Sequence, residues 1–121
     1  MTKVSPSLRL RVVFGPGVML GPGKAELLEM IHETGSIAAA GRRMNMSYKR
    51  AWMLVETMNA TFRAPVVEGS RGGSKGGGAV VTETGIAVLA AYRALEAHLA
   101  TAGKVEIDQL TALLGDIPEG K

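Results

Sequence analysis

Four consecutive residues, Ser47, Tyr48, Lys49 and Arg50, set two hydroxyls beside two permanent cations. Hydroxyls donate or accept at either partner, and Lys and Arg suit the N7 and O6 of guanine or a phosphate oxygen. Arg42 and Arg43 lie just ahead of this run. Arg71 and Lys75 follow it on a glycine-rich stretch, SRGGSKGGG (70–78). Residues 42–75 hold seven Lys and Arg against two Glu, in a chain of 121 residues whose net charge is only +3. The flanking residues 24–41 and 76–121 are net acidic. A basic middle between acidic flanks is either the footprint of a polyanion partner or a solvated basic face.

Other chemistries lack their residues. The chain has no Cys, which excludes disulfides, thiolate metal sites, iron–sulfur clusters and thiol catalysis. His32 and His98 stand alone, without a second ligand at metal spacing. Ser, His and acidic residues form no nucleophile–base–orienter set. The glycine stretch is not a phosphate-binding P-loop, because Lys75 follows Ser74 and precedes Gly76. The expectation is a protein that is not an enzyme and has no cofactor of its own. No apolar run approaches the ~20 residues of a membrane span. No export signal is visible at the N-terminus, so a soluble cytoplasmic protein is expected.

The elements that must position the basic residues follow from periodicity and caps. LRLRVVF (8–14) alternates, with Leu8, Leu10, Val12 and Phe14 on one face, which predicts a half-buried strand. GPGVMLGPG (15–23) reads as a breaker-rich connector. Residues 24–34 carry a stripe of Leu27, Leu28 and Ile31 and stop at Gly35, predicting a helix. Ser36 caps a short helix (37–44), Asn45 marks a tight turn, and Ser47 caps a third helix (48–62). Its stripe is Ala51, Leu54, Val55, Met58 and Phe62. Trp52 beside the stripe is expected to anchor in the core. VVEG (66–69) and AVVT (79–82) predict a hairpin whose tip carries Arg71 and Lys75. Thr82 caps a helix of about 83–102, with more apolar surface than one docked face needs. Leu110, Leu113, Leu114 and Ile117 give the tail a short amphipathic segment.

A short capped helix, a tight turn and a second capped helix make a helix-turn-helix, and the hairpin after it adds a wing. The first turn of the third helix precedes the buried stripe, so Ser47, Tyr48, Lys49 and Arg50 are free to enter a major groove. Ser36 opens a helix whose backbone N–H groups suit a phosphate. Arg42 and Arg43 sit beside the turn, and a flexible wing carrying Arg71 and Lys75 can reach a minor groove.

SIAAAGRRMNMSYKRAWMLVETMN (36–59), followed by GGSKGGGAVVTETG (72–85), resembles the DNA-binding domain of the ModE family of molybdate-responsive bacterial transcription regulators. The SYK-x-AW core (47–52) and the GGSKGGGA wing (72–79) carry that resemblance most specifically. SIAAAGRRMNMS with VTETG is also similar, less specifically, to LysR-type helix-turn-helix domains. The resemblance spans about residues 8 to 102. It implies a winged helix-turn-helix dimer that binds double-stranded DNA, with Ser47, Tyr48, Lys49 and Arg50 as readers and Arg71 and Lys75 as wing contacts. It also implies a dimer interface built from the N-terminal strand and the long C-terminal helix, here Leu8, Leu10, Ile86, Leu89, Tyr92, Leu95 and Leu99. The family carries molybdate-binding β-barrels after this domain, and residues 103–121 are too short for one. Regulation would then come through a separate molybdate-binding effector protein, through direct binding elsewhere, or not at all.

The expected architecture is a mainly α fold with a small β component, a single winged helix-turn-helix domain over 1–121. The expected function is sequence-specific DNA binding as a homodimer, in regulation of molybdenum-related genes. Two other readings predict different behaviour. A protein–protein module would show no duplex binding at moderate salt. A small oxyanion-binding protein would be stabilised by molybdate without DNA.

Overall fold

The structure is a computed structural model, and it describes residues 5–70 and 78–115. The chain opens with an antiparallel hairpin, β1 (Val12–Gly15) and β2 (Val18–Leu20), paired Val12 to Leu20 and Val13 to Met19. The expected strand over 8–14 is therefore shorter at its start, and the expected connector contains a strand. Pro16 presets the turn and Gly17 supplies its positive φ of 73°, so the breakers here reverse a hairpin rather than interrupt structure. Leu20 pairs with Val12, and the chain then turns at Gly21 into a helix. Residues 8–11 are left with no strand to pair with.

That helix, α1 (Pro22–Thr34), begins two residues earlier than the periodicity suggests, because Pro suits a first helical turn. It ends at Gly35, in the left-handed conformation with φ 72°. α2 (Ile37–Arg43) and α3 (Tyr48–Thr61) follow, joined by a turn in which Asn45 takes φ 57°. α1, α2 and α3 bury Leu27, Leu28, Ile31, Ala40, Ala51, Val55 and Met58 against one another. β3 (Val67–Ser70) and β4 (Gly78–Val81) then pair antiparallel, Val67 opposite Val81 and Ser70 opposite Gly78. Ala79 N–H donates to the Gly35 carbonyl at 2.9 Å, which ties the hairpin to the α1–α2 junction. The sequence of helix, turn, helix and hairpin is the winged helix-turn-helix that the caps and turns predict.

α4 (Glu83–Ala102) is long and lightly buried: only Gly85 and Tyr92 are enclosed along its length. Thr82 Oγ1 caps it by accepting from Gly85 N–H at 3.0 Å, and donates to the Pro65 carbonyl at 2.6 Å. A side chain at Gly85 would run into the Val66 carbonyl oxygen, so this glycine lets α4 leave the wing at close quarters. Arg93 holds α4 to α1 by pairing with Glu29, and bonds Glu96 on its own helix at 2.9 Å. These two bonds keep the Arg93 guanidinium more firmly protonated than usual, the Glu96 bond most of all. A last helix, α5 (Lys104–Ala112), follows Gly103 with no buried residue, and Val105, Leu110, Leu113 and Leu114 are exposed on and after it. Ile117, expected to extend this apolar set, lies outside the described residues. No helix among the described residues is long and apolar enough to cross a membrane.

Candidate nucleic-acid interface

The geometry around α2 and α3 is set by small residues and side-chain caps. Ser36 Oγ accepts from Ala39 N–H at 3.0 Å and opens α2, and Ser47 Oγ accepts from Arg50 N–H at 3.1 Å and opens α3. Gly41 is where the two helices approach. A Cβ there would stand 3.2 Å from Ala51 Cβ and 3.3 Å from the Met46 carbonyl, and Met46 N–H bonds the Gly41 carbonyl at 2.9 Å. The turn is thus fixed by backbone contacts, and α3 leaves it in one direction.

α3 turns by about 100° per residue, so burying Ala51, Val55 and Met58 sends Lys49 and Met53 to the opposite side. Tyr48 is 57% exposed, and Ser47, Lys49 and Arg50 are exposed as well. Ser47 spends a lone pair on the cap and keeps its O–H to donate. A shallow groove of about 280 Å³ brings Ser47, Lys49 and Arg50 together with Met53, Leu54 and Thr57. Lys49, Arg50 and Arg42 pair with no carboxylate among the described residues. Arg43 meets Glu33 at 3.5 Å in an exposed pair that contributes little. Arg42 and Arg43 lie at the end of α2, next to the turn. Arg71 and Lys75 lie outside the described residues, and β3 and β4 define the base of the hairpin that carries them.

Trp52 differs from expectation. It is 44% exposed, because the stripe centred on Ala51 and Val55 leaves it on the flank of α3 rather than inside. The groove also holds Met53 and Thr57, which the sequence reading passed over. Their signal was present: once 51, 55 and 58 are buried, 52, 53 and 57 must face outward. Exposed apolar surface on a basic helix suits contact with a thymine methyl.

Asn59, near the end of α3, ties the recognition elements to the wing. Its Oδ1 accepts from Val66 N–H at 2.8 Å and Val67 N–H at 3.2 Å, and its Nδ2 donates to the Val67 carbonyl at 3.1 Å. The wing base and the end of α3 are therefore joined by three hydrogen bonds.

A separate apolar groove of about 390 Å³ runs between the first hairpin and α4, lined by Val12, Phe14, Leu20, Ala87, Ala91 and Leu95. Phe14 meets Phe62 edge to face at 6.1 Å. Of the residues expected at a dimer interface, Ile86 and Leu99 are exposed on α4, and Leu89 and Leu95 are half-buried. Leu8 is exposed and Leu10 packs against the core. Tyr92 also borders the apolar groove and is the most enclosed of them. It is 2% exposed and its hydroxyl donates to the Leu10 carbonyl at 2.6 Å, so its contacts are to its own chain. Burial, then the nearby Glu96 carboxylate, raise the Tyr92 phenol above its ordinary pKa, with Arg93 and Arg9 opposing.

The chain matches no protein-family model. It is 48% identical over 84 residues to the molybdenum-pterin-binding protein MopB of Rhodobacter capsulatus, covering 69% of this chain and 31% of that protein. It is 36% identical over 104 residues to the molybdenum transport protein ModE of Azotobacter vinelandii, covering 86% of this chain and 37% of that protein. It is also similar to the DNA-binding transcriptional dual regulator ModE of Escherichia coli strain K12, 37% identical over 71 residues, 59% of this chain and 27% of that protein. Over these stretches the chain is similar to ModE-named proteins, and its own fold is a winged helix-turn-helix. It spans about a third of the length of the curated relatives it matches. Among solved structures it is similar to the DNA-binding domain of CbnR, a LysR-type regulator, in complex with DNA. The TM-score is 0.56 at 22% identity, covering 76% of this chain and 97% of that one, and this likeness is one of fold.

Proposed function

We propose that this chain is a transcription regulator that binds duplex DNA as a homodimer and acts on molybdenum-related genes. The observation that carries the reading is the first turn of α3. A serine cap fixes it, and Tyr48, Lys49 and Arg50 project from it with no carboxylate paired to either cation among the described residues. A helix presented this way fits the major groove, where Lys49 and Arg50 meet guanine N7 and O6 or phosphate, and Ser47 and Tyr48 meet either. Arg42, Arg43 and the start of α2 at Ser36 take flanking phosphates, and Arg71 and Lys75 reach from the wing.

The apolar groove and the outer face of α4 supply the dimer contact through Leu8, Leu10, Ile86, Leu89, Leu95 and Leu99. Tyr92 supports that face from within its own protomer. A two-fold dimer places two α3 helices on two half-sites. The names of the relatives supply the link to molybdenum.

Fluorescence anisotropy on a selected operator duplex and a scrambled one tests the reading. If Arg50 reads a base, Arg50→Ala weakens operator binding by about 10- to 100-fold and scrambled binding much less. Equal weakening on both duplexes makes Arg50 a phosphate contact. Unchanged binding on both removes it from the interface.

A further inference from the structure

A third concavity of about 240 Å³ lies where α3 faces the first hairpin, lined by Arg11, Lys24 and Arg50 together with Met19, Met46 and Leu54. Three cations from three elements meet here: one ahead of β1, one in the first turn of α1 and one in the first turn of α3. Arg11 and Lys24 converge on a single residue. Lys24 Nζ donates to the Met19 carbonyl at 3.1 Å, and the Arg11 guanidinium reaches Met19 Sδ at 3.5 Å, a weak acceptor. Gly21 makes this possible, because a Cβ there would stand 3.2 Å from Arg11 Cγ. Arg11, Lys24 and Arg50 pair with no carboxylate among the described residues, and residues 1–23 contain no acid at all. Each cation keeps most of its donors free. Arg50 and Leu54 line both this hollow and the α3 groove, so the two lie side by side.

We propose that this hollow seats one phosphodiester of the DNA backbone, held by Arg11, Lys24 and Arg50. The footprint then extends past the helix-turn-helix onto the first hairpin and the start of α1. Such a contact reads no sequence: it fixes the register in which α3 lies in the groove. The proposal rests on the DNA-binding reading above. The chemistry of the seat is that of a tetrahedral oxyanion, which a free molybdate or sulfate shares, so the test separates the two sources.

The full chain is titrated onto operator and scrambled duplexes between about 50 and about 200 mM salt, as wild type and as Arg11→Gln, Lys24→Gln and Arg11→Lys. Lys104→Gln serves as a distant control. Arg11→Gln and Lys24→Gln each weaken both duplexes alike, by about 3- to 10-fold at the low-salt end, and flatten the slope of log affinity against log salt by about 0.9. Arg11→Lys keeps the wild-type slope, and so does Lys104→Gln. Wild-type affinity and slope in both Gln variants overturn the seat while leaving the DNA-binding reading in place. Failure of the wild type to bind any duplex overturns both. In a parallel melt with molybdate or sulfate and no DNA, stabilisation that Arg11→Gln abolishes, while its duplex binding stays at wild type, assigns the hollow to a free oxyanion instead. Should Lys24→Gln fail to fold by circular dichroism, Arg11→Gln against Arg11→Lys decides alone.

Discussion

Replacing Asn59 with alanine cuts the clamp between α3 and the wing. The clamp consists of two accepted bonds, from Val66 and Val67 N–H, and one donated bond, to the Val67 carbonyl. Val66 and Val67 are both buried, so water does not readily replace the lost acceptor. A buried donor left unpaired costs about 1–3 kcal/mol. The better helix propensity of Ala returns about 0.5 kcal/mol. The expected net loss for two donors is about 1.5–5.5 kcal/mol, a fall in Tm of roughly 6–22 °C for a domain of this size. Urea unfolding followed by circular dichroism, at one fixed protein concentration, should show the midpoint falling while the m-value holds. Asn59→Asp keeps both accepted bonds but turns a carboxylate oxygen on the Val67 carbonyl where the amide donated, so it should lose stability as well. A loss below about 0.5 kcal/mol for Asn59→Ala would refute the clamp.

Three further expectations follow from the same structure. Gly85→Ala drives a Cβ against the Val66 carbonyl and to 2.6 Å from Val81 Cγ1, and should destabilise by about 1–3 kcal/mol in the same unfolding assay. The Tyr92 phenol has a raised pKa when folded. Its contribution is therefore complete below the ordinary value of 10.0 and lost as pH rises through the folded value. Tyr92→Phe should remove that alkaline loss and cost about 1 kcal/mol at neutral pH, read from melts across pH. Ala91→Glu puts a charge into the apolar groove beside α4. Light scattering should then report a folded monomer of 12.7 kDa where the wild type gives a dimer, and an unchanged dimer would discard that groove as the interface.

Much of the fold was legible because short-range chemistry decides it. Ser36, Ser47 and Thr82 each accept the backbone N–H three residues on, as their positions before apolar stripes imply. Gly35 and Asn45 take the left-handed conformations that stop α1 and turn α2 into α3. What was missed depends on partners distant in sequence or on which side of a helix is covered. β2 hid between two Pro-Gly pairs, one of which is the hairpin's own turn. Residues 8–11 alternate like a strand but lack a neighbour, because β2 ends where Gly21 begins the entry to α1. Trp52 lies one step round the helix from Ala51, far enough to leave the core. Tyr92 belongs to the apolar pattern of α4, yet its hydroxyl finds Leu10, 82 positions away in the chain. In the site, the exposed run 47–50 could be read from caps and stripe alone. The gathering of Arg11 and Lys24 beside Arg50 could not, because only the first hairpin and α1 bring those charges together.

The central claim is that this chain reads duplex DNA as a two-fold dimer, and selection from a random duplex library tests it most directly. The folded, full chain is used with and without molybdate, and the retained duplexes are sequenced. The account predicts an inverted-repeat consensus whose half-sites lie about one helical turn, or a multiple of it, apart. No enrichment from a sample shown to be folded and dimeric would contradict it.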